Sequence, residues 1–230
     1  MTQSEKLKKE AAEKAVEEIK SGMVVGLGTG STVFYALHKI SELLINGKLT
    51  NIVGIPSSKL TEKIANELQI PLATFEDYQT IDVTIDGADE VDKYFNLIKG
   101  GGGALLREKI LAQASKRLII IIDESKLSPK LGDRWAVPIE VIKFSYRLEE
   151  EFIKTIPGKP ILRKFDNGEP VITDEGNYII DANFGRLQNP FQLAEQLENR
   201  AGIVEHGLFL HLTNKIIVAG KDGIRVLEKK

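Results

Sequence analysis

Residues 23–32 read Met-Val-Val-Gly-Leu-Gly-Thr-Gly-Ser-Thr and predict a strand, a glycine turn and the start of a helix. The apolar run Met23–Leu27 is typical of a short buried strand. The glycines permit a tight turn, and Ser31 or Thr32 can cap the helix, whose apolar stripe extends to Leu44. A strand that leads directly into a helix is the repeating unit of an α/β fold.

The alternation of strand and helix continues to about residue 132. Further strands are predicted at 52–55, 72–75, 81–86 and 117–123, and further helices at 7–19, 60–68 and 104–115. The run of residues 118–122, Leu-Ile-Ile-Ile-Ile, suits a strand that is buried on both faces. Together these elements predict a mostly parallel sheet with helices on both faces.

After residue 132 the order becomes strand, helix, strand, strand, helix, strand. The predicted elements are 136–142, 145–156, 160–165, 178–181, 190–198 and 203–210, and a closing hairpin of 215–219 with 224–227. This is the split βαβ order of ferredoxin-like α+β modules. The predicted domains are therefore 1–131 with 208–230, and a smaller one at 132–207.

Composition excludes several classes of protein. The 230 residues include 31 Lys and Arg against 33 Asp and Glu, a formal net charge of -2 that argues against a nucleic-acid partner. The absence of cysteine excludes disulfides, thiol nucleophiles and Cys-ligated metal sites. The charged amphipathic start is not expected to be a signal peptide, and no apolar run approaches the roughly 20 residues of a membrane span. We expect a cytoplasmic soluble enzyme with no membrane partner.

The loop Gly26–Thr32 predicts an anion site. The N–H groups at the helix start and the hydroxyls of Ser31 and Thr32 suit a phosphate. A dinucleotide fingerprint would need a third glycine at position 31, and a P-loop would need a lysine just before Ser31. The sequence favours a small phosphorylated ligand, and a tight glycine turn without a ligand is the alternative.

A second motif, Thr84–Asp92, contains four acidic residues directly after a strand. Ligands of open α/β sheets collect at the carboxyl ends of strands, so Asp86 and Asp89 are predicted to serve catalysis or substrate binding. Glu90 and Asp92 are expected to be solvated surface residues. Two alternatives stay open: a magnesium site built from Asp86, Asp89 and Asp92, and a polar turn with Asx hydrogen bonds.

The third motif, Lys99–Lys109, contains four consecutive glycines. Such a run costs conformational entropy, but it suits a loop whose amides converge on a developing anion, with Lys99 adding a positive charge. Glu108 follows one turn into the next helix and is the predicted general base; an ordinary surface glutamate is the alternative. Lys126, just beyond the strand at 117–123, can reach a ligand at that strand's carboxyl end.

Taken as neighbours along one sheet edge, the three loops fit proton abstraction next to a carbonyl. The resulting enediolate oxygen would be held by amides and Lys99. This chemistry can run an aldose–ketose isomerisation without a cofactor.

The motifs GLGTGST, DGADEVD and KGGGGALLREK, in this order and at these separations, resemble the ribose-5-phosphate isomerase A family over essentially the whole chain. The resemblance implies a Rossmann-like domain, a smaller ferredoxin-like lid or oligomerisation domain, and a homodimer or homotetramer. It also implies interconversion of ribose 5-phosphate and ribulose 5-phosphate in the non-oxidative pentose phosphate pathway, without a required metal.

The resemblance also implies roles for individual residues. Ser31 and Thr32 would meet the phosphate, Asp86 and Asp89 would contact sugar hydroxyls and assist ring opening, and Glu108 would move the proton. Lys99 with the glycines that follow it would hold the C1 and C2 oxygens. A phosphate contact at Lys8 stays open, with a solvent-facing lysine as the alternative. The residues implied to bind substrate are Thr29, Gly30, Ser31, Thr32, Asp86, Gly87, Ala88, Asp89, Lys99, Gly100, Gly101, Gly102 and Lys126.

Three other classes compete. An amino-sugar phosphate deaminase would be expected to carry a histidine near its acids, and none of the three histidines lies there. A non-catalytic sugar-phosphate sensor would need a DNA-binding helix-turn-helix module, and a coenzyme A transferase would need a glutamate nucleophile in another loop context.

Overall fold

The computed structural model describes residues 2–229, and the secondary structure in that range alternates as predicted. The helices are α1 Gln3–Val16, α2 Ser31–Ile45, α3 Lys59–Glu67, α4 Leu105–Ala114, α5 Tyr146–Thr155 and α6 Pro190–Glu198. The strands are β1 Val24–Leu27, β2 Val53–Pro56, β3 Val83–Asp86, β4 Glu90–Val91, β5 Leu97–Ile98, β6 Leu118–Asp123, β7 Val137–Val141, β8 Lys159–Leu162, β9 Tyr178–Asn183, β10 Ile203–His206, β11 Leu208–Phe209, β12 Lys215–Gly220 and β13 Gly223–Glu228. A short 3₁₀ turn, Glu124–Lys126, follows β6.

The chain divides into two units. The first consists of Met1–Ala88, Arg107–Lys126 and Leu212–Lys230, and the second of Asp89–Leu106 and Leu127–His211.

A six-stranded sheet in the order β13-β12-β6-β3-β1-β2 forms the centre of the first unit. The strands from β12 to β2 are parallel to their neighbours, and β13 pairs antiparallel with β12. Every residue of β1, β3 and β12 is buried, as expected of strands covered on both faces. The predicted mostly parallel sheet is confirmed.

Helices cover both faces of this sheet. Val25, Leu27 and Ile85 belong to a core cluster that includes the apolar stripes of α1 and α2. Val24, whose side chain alternates to the other face, packs in a separate cluster with Leu111 of α4. The apolar periodicity of the sequence therefore places α1 and α2 on one side and α4 on the other.

The second unit contains an antiparallel sheet in the order β10-β7-β9-β8. Helices α5 and α6 pack on it through Ile153 and Leu197, which join Ile139 and Ile180 of the sheet in one core cluster. The order strand, helix, strand, strand, helix, strand is the one predicted, and the ferredoxin-like module is confirmed.

The division of the chain differs from the predicted domain boundaries. Residues 89–106, 127–131 and 208–211 lie in the second unit. For 89–106 and 208–211 the reason is a small antiparallel sheet, β11-β5-β4, which pairs β5 with the distant β11. Residues 127–131 begin with Leu127, which makes a parallel bridge with Val91 of β4. Such long-range pairing leaves no local signal in the sequence. The role of the second unit as a lid or oligomerisation domain stays a prediction.

Two predicted strands differ in detail. Residues 72–75 form no strand, but Leu72 makes a single parallel bridge with Gly54. Residues 203–210, predicted as one strand, divide at Gly207 into β10 and β11. No helix within the described residues is long and apolar enough to cross a bilayer.

Glu140 of β7 is a buried carboxyl in the second unit whose ionisation affects the stability of the fold. It is 1% exposed, and its Oε1 accepts hydrogen bonds from Thr173 Oγ1 at 2.8 Å and Asn177 Nδ2 at 2.9 Å. Burial raises the pKa of this carboxyl above the ordinary value of 4.5, against the lowering effect of the two hydrogen bonds. The folded protein therefore binds the proton more tightly than the unfolded chain, so this group contributes stability at low pH that is lost as pH rises through the folded pKa.

We predict that Glu140→Gln removes this pH dependence. The free energy of unfolding of the variant, relative to wild type, should increase as pH is raised from 4 to 7, measured by urea unfolding across that range. Glu195→Gln, at an exposed position of the same unit, is the control and should show no trend. A difference between Glu140→Gln and wild type that stays constant with pH would contradict the effect of burial.

Candidate active site

The topology of the first unit places two of the sequence motifs at a point where ligands bind in open α/β sheets. The chain runs from β1 to β2 on one side, whereas β3 and β6 lie on the other side of β1. Loops that follow β1 and β3 therefore diverge, which leaves a crevice at the carboxyl ends of these strands. The glycine loop follows β1, and the acidic motif follows β3.

Gly28 and Asp86 lie in direct contact at this strand edge. A Cβ atom on Gly28 would lie 2.3 Å from Asp86 Oδ1 and 2.6 Å from the carbonyl oxygen of Ile85. The backbone N–H groups of Thr29 and Gly87 donate to Asp86 Oδ1 at 3.1 and 2.8 Å. Asp86 is 1% exposed, so its carboxylate is held in place by main-chain donors from both loops.

A cluster of hydroxyl groups fixes the glycine loop from the side of β2. Thr29 Oγ1 lies 2.8 Å from Ser57 Oγ, 2.8 Å from Ser58 Oγ and 3.1 Å from Thr61 Oγ1. Thr61 in turn donates to the carbonyl of Gly28 at 2.8 Å. Sequence reasoning missed Ser57, Ser58 and Thr61, although the Ser-Ser pair directly follows β2 and so lies at the same sheet edge. The hydroxyl of Thr29 serves the loop itself, and its contact with substrate stays a prediction.

The start of α2 has the features of an anion site. Gly30 occupies the N-cap position with a φ of 117°, and no side chain caps the helix there. Ser31 is exposed and Thr32 half-buried. Lys8 Nζ donates to Ser31 Oγ at 2.9 Å, which places a positive charge beside the positive end of the helix dipole.

The remaining residues of the first unit that were predicted to bind substrate lie at the same edge. Gly87 and Ala88 follow Asp86 and are half-buried. Lys126 ends the 3₁₀ turn after β6, the parallel neighbour of β3, and is also half-buried.

Glu108 lies in the first turn of α4 and is 5% exposed. An ordinary surface glutamate would be largely solvated, and glutamates are rarely this buried without a specific reason. The burial of Glu108 therefore contradicts the surface alternative. It is the property expected of a carboxylate with a functional or internal structural role.

In the second unit, Asp89 contacts the glycine run directly. The N–H of Gly101 donates to Asp89 Oδ2 at 2.7 Å, and a Cβ on Gly101 would lie 2.7 Å from Asp89 Oδ1. Gly100 has a φ of 102°, and its Cβ would lie 2.9 Å from Leu105 Cβ. Both the backbone angle and the lack of space require glycine at position 100. This gives a structural reason for a residue type that costs conformational entropy when it is ordered.

Lys99 is held at the start of this loop. It is 3% exposed, its N–H donates to the carbonyl of Gly207 at 2.9 Å, and its Nζ lies 5.5 Å from the centre of the Phe209 ring. Lysines are almost never buried to this degree unless paired. The position is therefore specialised rather than an ordinary surface lysine.

Arg163 contacts the same loop and was not singled out from the sequence. Its Nη1 donates to the carbonyls of Gly100 at 2.8 Å and Gly101 at 3.2 Å. More than sixty residues separate the arginine from the loop, so no local pattern could have found it.

The expectation that Glu90 and Asp92 are solvated surface residues is wrong. Glu90 is fully buried, and its carboxylate accepts N–H groups from the backbone of residues 132–135. Asp92 is 7% exposed and accepts hydrogen bonds from the backbone N–H groups of Tyr94 and Asn96 and from the Asn96 amide. Both carboxylates organise backbone, which accounts for acids in a buried segment.

The magnesium alternative required Asp92 beside Asp86 and Asp89. Both carboxylate oxygens of Asp92 accept hydrogen bonds from its own turn. In the part of the chain that the structure describes, no group of three or more acidic or histidine side chains is arranged to hold a metal ion.

The first unit thus brings together the glycine loop, Asp86 and Lys126 at one sheet edge, and the second unit brings together Asp89, Lys99 and the glycine run. The chain passes between the units after Ala88 and after Leu106, within the second and third motifs themselves. These features define a protein of the Rossmann-like α/β class with a glycine loop and buried acids at its strand ends.

Comparison with known proteins identifies the family. The profile of the family described as ribose 5-phosphate isomerase A (phosphoriboisomerase A) matches residues 53–223. The chain is 55% identical over 228 residues to ribose-5-phosphate isomerase A of Desulfatibacillum aliphaticivorans, and the match covers 99% of each chain. The chain belongs to the ribose 5-phosphate isomerase A family, and the resemblance drawn from the three motifs is confirmed.

Solved structures agree with this assignment. The ribose 5-phosphate isomerase from Plasmodium falciparum matches with a TM-score of 0.95 at 46% identity, covering 98% of this chain and 99% of that one. A D-ribose-5-phosphate isomerase in complex with phospho-erythronic acid matches with a TM-score of 0.97 at 40% identity, covering 99% and 100%.

The contact of Gly28 with Asp86 predicts a steep penalty for a single methyl group. Gly28→Ala should lower the free energy of unfolding by about 1–3 kcal/mol, because Cβ would overlap both a fixed carboxylate and a carbonyl. Gly87→Ala is the matched control, since the nearest atom to its Cβ would be 3.9 Å away and its stability should change by less than about 0.5 kcal/mol. Denaturant unfolding measures both. Equal stability of the two variants would show that the loop can move away from Asp86.

Proposed function

We propose that this protein interconverts D-ribose 5-phosphate and D-ribulose 5-phosphate in the non-oxidative pentose phosphate pathway, with Glu108 as the base. The observation that carries the proposal is the burial of Glu108 in the first turn of the helix that directly follows the glycine run. Membership of the ribose 5-phosphate isomerase A family supports the substrate.

The proposed reaction moves one proton between neighbouring carbons. Glu108 takes the proton from C2 of the open-chain aldose, and the electrons of the C–H bond form the C1=C2 double bond of a cis-enediolate with negative charge on O1. The same carboxyl then returns the proton to C1. The hydroxyl proton on O2 is transferred to O1, and the C2–O2 bond becomes the ketone. No electrons enter or leave, so the cycle needs no redox cofactor.

The enediolate oxygen requires stabilisation, and we assign this to the segment Lys99–Gly102. Lys99 and the N–H groups of Gly100 and Gly102 serve as donors, while the N–H of Gly101 holds Asp89. A positioned base contributes about 10²–10⁴-fold to such a rate, and one oxyanion donor contributes about 10²–10³-fold. Because Lys99 is buried, its charge acts in a medium of low polarity, where electrostatic stabilisation is stronger than in water.

Asp86 and Asp89 are proposed to hold sugar hydroxyls and to assist ring opening. The main-chain donors on Asp86 Oδ1, and the Gly101 N–H on Asp89 Oδ2, fix the two carboxylates before substrate arrives. Gly87 and Ala88 allow the chain to pass close to the sugar. A carboxylate that is already fixed favours a sugar hydroxyl at one position. Binding there is strengthened because the carboxylate does not have to be ordered when the sugar binds.

The phosphate end of the substrate is assigned to the segment Thr29 to Thr32 at the start of α2, with Lys126 as a further substrate contact. The N-terminus of a helix favours an anion, and the Lys8–Ser31 hydrogen bond supports an additional phosphate contact at Lys8. A relative in complex with phospho-erythronic acid supports a phosphorylated sugar derivative as the ligand class.

A homodimer or homotetramer is also part of the proposal.

The direct test is conversion of ribose 5-phosphate to ribulose 5-phosphate by purified protein treated with EDTA. We expect full activity in wild type and a fall in kcat of about 10²–10⁴-fold in Glu108→Gln, which keeps the shape but removes the base. Glu62→Gln, an exposed glutamate in the first turn of α3, is the control and should retain wild-type rates. A near-wild-type rate in Glu108→Gln would refute the assigned base, and an activity that EDTA removes and metal restores would refute the metal-free mechanism.

The phosphate assignment has its own test. The double variant Ser31→Ala/Thr32→Ala should raise KM for ribose 5-phosphate by at least about tenfold, since even one lost hydrogen bond to a charged group is worth roughly 1.5–3 kcal/mol. Any turnover of unphosphorylated ribose should not change. Equal losses with both sugars would contradict a phosphate contact at these residues.

A further inference from the structure

The glycine run of the second unit has no side chains with which to fix its own conformation. Gly101 and Gly102 are exposed, and glycine loses more conformational freedom on ordering than any other residue. A loop of this kind depends on hydrogen bonds to its carbonyl and amide groups, and within the run the N–H of Gly103 donates to the carbonyl of Gly100 at 3.0 Å. Arg163 provides such contacts on the carbonyl side of the loop.

The guanidinium of Arg163 is itself held from two directions. Its Nε and Nη2 donate to Asp181 Oδ2 at 2.8 Å and Oδ1 at 2.5 Å, a bidentate pair, while its Nη1 donates to the carbonyls of Gly100 and Gly101. The arginine side chain is 17% exposed. A planar guanidinium bound along one edge by a carboxylate presents its other donors in a fixed direction.

The backbone beneath this pair is part of the sheet of the second unit. The N–H of Arg163 donates to the carbonyl of Ile179 at 2.8 Å, and its carbonyl accepts the N–H of Val171 at 3.0 Å. Asp181 lies in β9, between β7 and β8. Arg163, which directly follows β8, is therefore anchored by backbone hydrogen bonds on both sides. Its side chain in turn holds the carbonyls of the glycine run in place.

Peptide planarity converts the two carbonyl contacts into control of two amides. In a trans peptide unit the carbonyl of one residue and the N–H of the next point in opposite directions. When Arg163 holds the carbonyl of Gly100, the N–H of Gly101 must point away from it, and this N–H does reach Asp89 at 2.7 Å. In the same way, the contact with the carbonyl of Gly101 sets the direction of the N–H of Gly102.

We propose that Arg163, held by Asp181, is a positioning residue for the glycine run. It orients the amide of Gly101 toward Asp89 and the amide of Gly102 toward the developing enediolate oxygen. The inference rests on the proposed isomerase function. Arg163 does not touch the substrate in this proposal. It acts through the peptide groups, and its charge polarises them so that their N–H groups are stronger donors.

The chain offers a matched control in the same unit. Arg186 donates from Nε and Nη2 to the carboxylate of Asp133 at 2.6 and 3.2 Å, and the structure gives it no contact with the glycine run. Loss of Arg186 removes an arginine and a bidentate ion pair, as loss of Arg163 does, but leaves the loop carbonyls unaffected.

The test compares kcat and KM for ribose 5-phosphate in Arg163→Met, Arg163→Lys and Arg186→Met, at a temperature where circular dichroism shows each variant folded. Arg163→Met should lower kcat by about 10²-fold, the effect of one misplaced oxyanion donor, with KM within about threefold of wild type. Arg163→Lys should recover part of kcat, because an ammonium can still donate to a carbonyl. Arg186→Met should retain wild-type constants. A kcat for Arg163→Met within twofold of wild type, or an equal loss in Arg186→Met, would overturn the proposal.

Two further measurements distinguish loss of the positioning role from a general structural effect of the substitution. Added methylguanidinium should raise the kcat of Arg163→Ala and leave that of Arg186→Ala unchanged; no increase in Arg163→Ala would count against the proposal. If Arg163→Met does not fold, Asp181→Asn decides: a loss of kcat at unchanged KM supports the positioning role, and an unchanged kcat overturns it. An inactive wild type would instead refute the proposed isomerase function, so the two failures are distinct.

Discussion

The close approach of the loop after β1 to the carboxylate of Asp86 is the constraint on which the rest of the first unit depends. It requires glycine at position 28, because a side chain there would overlap the carboxylate and a strand carbonyl. It also allows main-chain N–H groups to hold Asp86 in a buried position. The parallel order of the sheet creates the crevice, and this contact determines which groups line it.

A similar principle operates in the second unit, where main-chain groups rather than side chains meet a carboxylate. The Gly101 amide contacts Asp89, and the carbonyls on the other side of the loop contact Arg163. Side chains that fix a glycine loop have to come from other parts of the chain, because the loop contributes none. The cost of four ordered glycines is thereby offset by contacts that also set the direction of their amides.

The sequence predicted the features that have a local cause. Apolar runs marked the buried strands, glycines marked the turns, and the order of elements after residue 132 predicted the ferredoxin-like module. It could not predict pairings between distant segments, such as those of Arg163 with the glycine run or of Glu90 with residues 132–135. Glu90 was wrongly expected at the surface because charge suggests exposure, and only the fold supplies the buried amides that satisfy it. The Ser57–Ser58 pair could have been found, since it follows a predicted strand at the edge already assigned to the site.

In the proposed reaction a proton moves between two carbons through a protein carboxylate, and the fate of the hydrogen on C2 shows whether it does. The reaction would be run in D₂O from ribose 5-phosphate, and the ribulose 5-phosphate formed would be analysed by proton NMR. We expect deuterium at C1, because a carboxyl that holds the proton between two carbons exchanges it with solvent in a fraction of turnovers. Complete retention of the original hydrogen over many turnovers would indicate direct hydride transfer from C2 to C1 and would contradict the role assigned to Glu108.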